Sequence, residues 1–141
     1  MLRSIDASEL TPLDDSKRIA IVGMCISTYI RFGTYGEPSL IPIELVKKIV
    51  GVSKTWTGYT HQWSKDWARE YSKYFMASRH EVANASGWRS FLAVQTEQHQ
   101  VSNAVGCPAS KEGGYKSNCA SCGLCSGILG KGRKDVKILL H

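Results

Sequence analysis

Short apolar runs alternate along this chain with polar stretches rich in turn-forming residues. The first run has two readings. With Asp14 and Asp15 as caps, Lys17, Ile19, Val22 and Ile26 recur as in a helix, while Arg18–Gly23 also reads as a buried strand. Gly23 is followed by Met-Cys-Ile, so the G-x-G-x-x-G turn of a dinucleotide-binding fold is missing. Tyr29–Phe32 is strand-like, and Gly33–Pro38 breaks it. Ile41, Leu45 and Ile49 sit at helical spacing within Ile41–Val50. Thr55–Thr60 is a second β-rich run, Asp66–Tyr71 a short helix, Lys73–Ala77 a third strand and Val82–Ser86 another brief helix. Arg89–Val94 and Val136–Leu140 complete the strands, with a segment rich in glycine and cysteine between them.

Strands alternating with short helices predict βαβ units, and hence an α/β fold with mainly parallel pairing. Four or five such units are too few for a closed eight-stranded barrel. The expected architecture is therefore a partial (half) β/α barrel or a small, mainly parallel sheet with short helices, plus a C-terminal four-cysteine metal-binding segment. A single domain is expected over residues 1–141, with a polar lead-in at 1–13, a βα core at 14–100, and the metal-binding segment and closing strand at 101–141. Right-handed crossovers place strand C-termini on one edge, where folds of this type bind ligands. Tyr35 and Glu37, His61 and Gln62, Ser78 and Arg79, and then the cysteines, are expected there. Gly127–Lys134, with three glycines and three basic residues, reads as a mobile loop.

Composition changes this picture little. The 141 residues are 43% hydrophobic, enough for a real core, and 21% charged, which argues against global disorder. The charge is more informative. Of the net +6, a share of +4 lies from Cys107 onward, where six basic residues face Glu112 and Asp135. Four thiolates on a divalent ion or an iron–sulfur cube would offset about two of those charges. Much of the basicity thus balances a metal site, and a nucleic-acid interface at Lys131, Arg133 and Lys134 is the weaker use of it. Met1–Leu10 has no apolar signal core, and Ile19–Ile30 is shorter than the roughly 20 residues a membrane helix needs. Five cysteines without a leader point to the reducing cytoplasm and away from a disulfide framework. No membrane partner is expected. A homodimer is, because four or five strands leave an open edge and an incomplete barrel leaves apolar surface.

The strongest chemistry lies in Cys107, Cys119, Cys122 and Cys125, spaced C-x11-C-x2-C-x2-C. Thiolates two residues apart can bend round one centre, and a distant fourth completes four-coordination. The intervening Gly, Ser, Asn and Pro are too polar for a set of buried core thiols. Cys119-Ala-Ser-Cys122-Gly123 resembles a zinc knuckle, while three cysteines at C-x2-C-x2-C with a remote Cys107-Pro108 match the ligand grammar of [4Fe–4S] proteins. The cluster is favoured over zinc. Cys25, in an apolar run, reads as a buried and inert thiol.

Elsewhere the candidates carry bland alternatives. His61 follows a strand and is a general base, an anion contact or a loop-ordering imidazole. Glu37 is an acid–base group or, more simply, a cap for the helix that starts near Pro42. Arg31, inside an apolar strand, is expected to meet a carboxylate such as Glu37 or a bound anion. Ser78 joins these three as a catalytic candidate on the strand-end edge. Trp56, Trp63, Trp67 and Trp88 read as core or interface.

The succession Arg31-Phe-Gly-Thr-Tyr-Gly-Glu-Pro38, Thr57-Gly-Tyr-Thr-His-Gln-Trp63, Met76-Ala-Ser78, Gly87-Trp-Arg-Ser-Phe91 and Cys107-Pro-Ala-Ser110 resembles a phage-associated family, the group related to mycobacteriophage "gene product eighty-eight". Cys119-x2-Cys122-Gly-Leu-Cys125-x-Gly127 and the final His141 fit the same pattern, which spans roughly residues 29–141. The resemblance implies a phage or prophage origin and a cysteine-bound metal, and it supplies no reaction. This chain has Glu37 where members commonly have Asp, and it lacks the N-terminal cysteine-rich segment of longer members. Three functions follow as expectations. The first is a small phage-type metalloprotein acting as a binding or regulatory module with an unknown protein partner. The second is a metal-containing enzyme around Arg31, Glu37, His61 and Ser78. The third is a nucleic-acid-binding protein. A site filled by four cysteines favours structure or electron transfer over hydrolysis, and so the first.

Overall fold

A computed structural model of the chain describes residues 14–80, 85–95 and 104–139. The lead-in at 1–13, most of the expected helix Val82–Ser86, and Leu140 and His141 lie outside them. Asp14 decides the first ambiguity. Its carboxylate accepts the Lys17 amide at 2.8 Å and caps a helix, α1 (Asp15–Cys25). A side-chain cap of this kind adds about 1 kcal/mol to a helix start, and Ile21, Val22 and Cys25 pack partly buried against the core, although no α1 residue is fully buried.

The next strand, β1 (Tyr29–Arg31), runs parallel to β2 (Thr55–Thr57), and α2 (Ile43–Val52) crosses between them. Helix α2 buries Leu45, Val46 and Ile49 against Phe32, Tyr71, Tyr74 and Phe75. Each such side chain contributes about 1.5–3 kcal/mol on leaving water. The second sheet holds β3 (Tyr59–Thr60), β4 (Met76–Arg79), β5 (Ser90–Val94), β6 (Ala104–Gly106) and β7 (Asp135–Leu139), in the order β3-β4-β5-β7-β6. Every pairing in both sheets is parallel. The fold is mixed α/β with short helices, and among the described residues no helix is long and apolar enough to cross a membrane.

Four expectations change. The run Thr55–Thr60 is split at Gly58, whose amide donates to the Cys125 carbonyl at 2.7 Å and whose carbonyl accepts from Met76 at 3.0 Å. The segment Asp66–Lys73 is a 3-10 helix that takes in Lys73, so β4 begins later than expected. Strand β6, three residues long, is an addition to the expected strands, and it makes the closing strand β7 an interior one. The glycine-rich loop is pinned and not mobile. The amides of Gly127, Ile128 and Leu129 donate to the carbonyls of Tyr74, Ser72 and Lys73 at 2.8–3.0 Å. A Cβ on Gly127 would fall 2.4 Å from the Tyr74 nitrogen, and one on Gly130 would fall 1.7 Å from the Ser126 hydroxyl.

Candidate functional site

Each cysteine is placed by a local device that its neighbours supply. Cys107 follows β6, and its amide donates to the Lys137 carbonyl at 2.9 Å, extending the ladder with β7. Its own carbonyl accepts the Ser110 hydroxyl at 2.8 Å, closing a turn in which Gly113 approaches so nearly that a Cβ would stand 2.2 Å from that oxygen. Asn118 caps the one-turn helix α3 (Cys119–Cys122) by accepting the Ser121 amide at 2.9 Å. Gly123 ends it at φ +64°, a left-handed conformation that glycine adopts freely. A Cβ there would also lie 2.8 Å from the Thr55 hydroxyl. Cys125 is held next to the sheet junction by its bond from Gly58.

Cys107, Cys119, Cys122 and Cys125 are among the residues that line one cavity of about 20 Å³, together with Thr57, Pro108, Leu124 and Val136. That is room for about one water. Burial, and then the nearby Cys107, Cys119 and Cys122, push the Cys125 thiol up to about 12, while Arg89 pulls it down. Like charges gathered in a buried site raise one another in this way, and a cation reverses the effect. Among the described residues, no group of three or more His, Cys, Asp or Glu side chains stands in metal-holding geometry. In donor type the lining suits a cysteine-bound centre, because four cysteines border one cavity, although their present arrangement is not one that holds a metal ion.

Arg89 is the residue that the sequence pattern does not single out. It is 8% exposed, and it donates to the carbonyls of Ser126 and Lys134, at the two ends of the glycine-rich loop. A charged residue directly ahead of the apolar strand Ser90–Val94, in a chain with a glycine-rich segment for it to hold, is the available signal.

The strand-end candidates divide. Glu37 and His61 come together, with His61 Nδ1 3.8 Å from Glu37 Oε2 and the imidazole 63% exposed. Glu37 Oε1 accepts the Ser39 amide at 3.2 Å, the Ser39 hydroxyl at 2.8 Å and the Thr60 hydroxyl, and Oε2 accepts the His61 amide at 3.1 Å. Burial works to raise this carboxyl, but the bonds from Thr60, Ser39 and His61 outweigh it and hold it below its ordinary range. A carboxylate engaged so fully is a staple between the Gly33–Leu40 loop and the end of β3. It does cap, as expected, but it caps the 3-10 turn Pro38–Leu40 and not α2, whose N-cap is Pro42 with no side-chain bond.

Arg31 is exposed at the end of β1, and it lines a different cavity, of about 190 Å³, with Tyr29, Trp56 and Cys119. Glu37 is engaged by Ser39, Thr60 and His61 in its place, so the Thr60–Glu37 bond stands where an Arg31–Glu37 pair was expected. Ser78 lies in β4 opposite Phe91, and its carbonyl accepts the Trp63 indole at 3.0 Å. The cysteine cavity and the Glu37 staple sit at opposite ends of β3: Gly58, before it, holds Cys125, whereas Thr60 and His61, at its end, hold Glu37. No family model, curated protein or solved structure matches the chain.

Lys131, Arg133 and Lys134 are all exposed, and the first two bond back to carbonyls of the chain. Lys131 Nζ lies 3.5 Å from the Cys122 carbonyl, and Arg133 Nη1 donates to the Gly130 and Gly132 carbonyls at 2.7 and 3.2 Å. Lys134 is exposed, and its backbone carbonyl serves Arg89. Of the tryptophans, Trp56 donates to the Tyr74 carbonyl at 2.7 Å and Trp88 packs on the core, whereas Trp67 is 54% exposed.

Proposed function

We propose that the chain is a small metalloprotein in which Cys107, Cys119, Cys122 and Cys125 hold one centre, and that it serves as a binding or electron-transfer module. The observation that carries this reading is the shared cavity, since four cysteines spread over nineteen residues of sequence line one space. A [4Fe–4S] cluster is favoured over zinc. The preference rests on ligand spacing, since C-x2-C-x2-C with a remote Cys107-Pro108 follows the ligand grammar of [4Fe–4S] proteins. The cavity as it stands has room for about one water, so the four cysteines would have to draw apart to admit a cube. When bound, a cluster supplies one-electron chemistry, and zinc supplies only rigidity. The protein's own part is to present four thiolates and to anchor the segment to the sheet through Gly58.

A phage-type origin, as in the "gene product eighty-eight" group, remains part of this reading on the motifs quoted above. The half-barrel form of the fold is supported by the continuity of β2 into β3 across Gly58, which runs one sheet into the next. The homodimer is supported by α1, where Ile19 and Met24 are 74% and 79% exposed, and by Ile26 just after it, 58% exposed; light scattering at micromolar concentration tests it. An enzyme built on Glu37 is disfavoured, because three donors fasten Oε1 and the His61 amide holds Oε2, which gives the carboxylate a structural task.

The deciding experiment is anaerobic purification with metal analysis and an optical spectrum. A brown protein absorbing broadly near 400 nm and bleaching on reduction is expected, with roughly four irons per chain. One equivalent of zinc in a colourless protein would move the reading to a structural site, and a metal-free protein with paired disulfides would end it.

A further inference from the structure

We infer that the cavity lined by Trp63 and Trp88 is a binding site for a small molecule that carries a planar aromatic ring and an anionic group. No cysteine lines it among the described residues, so the site does not depend on whether the cysteines hold a metal. Its volume is about 420 Å³, within the range of roughly 300 to 1,000 Å³ that small-molecule sites occupy. Two stretches of chain build it, one from Trp63 to Ser72 and the other from Ala85 to Trp88. Among the described residues it gathers two of the chain's four tryptophans with Lys65, Arg69 and a single acid, Asp66.

The protein itself fixes both tryptophans. The Trp63 indole N–H donates to the Ser78 carbonyl in β4 at 3.0 Å, while the residue stays only half-buried. Trp88 closes a turn, its amide donating to the Ala85 carbonyl at 2.9 Å, and its side chain packs partly buried against the core. Gly87, in that turn, has open space for 4 Å around the position a Cβ would take. An indole offers a large apolar face for a ring to stack on, and groups ordered in advance lose little freedom when a ligand arrives. The cations add the second requirement. Arg69 reaches Asp66 at 3.5 Å, with the two side chains 80% and 95% exposed. A pair so exposed contributes little, which leaves the guanidinium able to turn to a bound anion and grip it through two parallel N–H groups. Lys65, also exposed, brings a second positive charge to the same cavity. Indole faces alone would also attract a cation. Two cations against one acid tip the lining toward an anion.

The test follows the four indole N–H signals of isotope-labelled protein by NMR, each assigned with one Trp→Phe variant. The probes are phenyl phosphate, which has both ring and anion, inorganic phosphate, benzyl alcohol, and benzylamine, which has the ring with a cation. Phenyl phosphate should move the Trp63 and Trp88 signals with a Kd of about 1 mM, the ordinary strength for a ligand of its size. The Trp56 signal should stay still, because that N–H donates to the Tyr74 carbonyl. Each of the other three probes should bind at least about tenfold more weakly. Lys65→Gln combined with Arg69→Gln changes two exposed side chains and should weaken phenyl phosphate about tenfold. Lys17→Gln, on α1 and outside the cavity, should leave its binding unchanged. Trp63 and Trp88 signals that stay in place at about 20 mM phenyl phosphate would overturn the inference. Benzylamine binding as tightly as phenyl phosphate would overturn it too, as would wild-type affinity in the double variant.

Discussion

The amide of Gly58 donates to the carbonyl of Cys125 at 2.7 Å, which ties the last cysteine to the point where one sheet gives way to the other. Gly58 is glycine because the core leaves no room there. A Cβ would lie 2.9 Å from the Phe75 ring and 3.1 Å from the Phe32 Cβ, and Phe75 is fully buried. Gly58→Ala should cost about 1–3 kcal/mol by overpacking, and it should also move the anchor of Cys125. The expected result is a lower urea midpoint together with reduced metal loading. Unchanged stability would mean that Phe32 and Phe75 yield more easily than their packing suggests.

Glycines elsewhere should answer in opposite directions. Gly127 and Gly130 are held against backbone and against Ser126, so alanine at either should destabilise by about 3 kcal/mol or more. Gly51 lies in α2 with open space for 4 Å around the position a Cβ would take, and there alanine should stabilise by about 0.5–1 kcal/mol through helix propensity and a stiffer unfolded chain. Denaturation midpoints of the three variants check this. A Gly127→Ala protein as stable as wild type would restore the picture of a mobile loop.

These glycines show where sequence reading stops. A glycine needed for close approach and one in an open loop look alike in a sequence, so the segment Gly127–Lys134 reads as mobile when it is pinned. The strands with strong β composition are legible: Tyr29–Phe32 and Arg89–Val94 each contain a strand, and Val136–Leu140 overlaps β7, which starts one residue earlier. Strand β6 is not, because Ala104-Val-Gly106 is too short for alternation to show, and β7 organises it from a distance. The grouping of Cys107 with the C-x2-C-x2-C run is legible as spacing, and the four do line one cavity. The position of Arg31 is not legible, because the end of β1 belongs to a different sheet from β3 and so lies apart from the Glu37 staple.

Glu37 should make stability depend on acid. Its carboxyl titrates below its ordinary value of 4.5 in the folded chain, so the unfolded chain takes up the proton first. The stabilisation is then complete above that ordinary value and is lost as pH falls through the lower, folded one. Glu37→Gln should flatten this dependence, and at neutral pH it should cost about 1–2 kcal/mol through poorly paired Thr60 and Ser39 hydroxyls. Urea midpoints from about pH 7 down to about pH 3 check it. Parallel wild-type and variant curves would show that the carboxylate charge does not matter.

For the basic loop we expect no nucleic-acid phenotype. Lys131 and Arg133 are exposed but spend donors on carbonyls of their own chain, at Cys122, Gly130 and Gly132, and their loop holds no aromatic platform for bases. Replacing Lys131, Arg133 and Lys134 together with alanine should leave retention on a DNA column at low salt unchanged. A weaker retention, with a salt slope flattened by about three phosphates' worth, would instead revive a nucleic-acid interface.

The cysteines themselves give the sharpest division. Cys25 packs beside the core at the end of α1, away from the cavity, and burial raises its thiol. Cys25→Ser should therefore keep full metal content. If the proposed centre is right, Cys122→Ser removes one of four ligands, and a remaining three hold a centre far less well. Since metal-binding free energy is also folding free energy, the loss should reach beyond the site. Cys125 bonds Gly58, and Arg89 ties Ser126 and Lys134 to the start of β5, so loosening residues 107–127 should also loosen the entry of β7 into the sheet. Hydrogen exchange is the direct measurement: amides of Val136–Leu139 should lose protection in Cys122→Ser, while those of Leu45–Ile49 in α2 keep theirs. If Cys122→Ser retains full metal and wild-type exchange at β7, then Cys122 is not a ligand, and the four-cysteine centre has to be rebuilt from the other three.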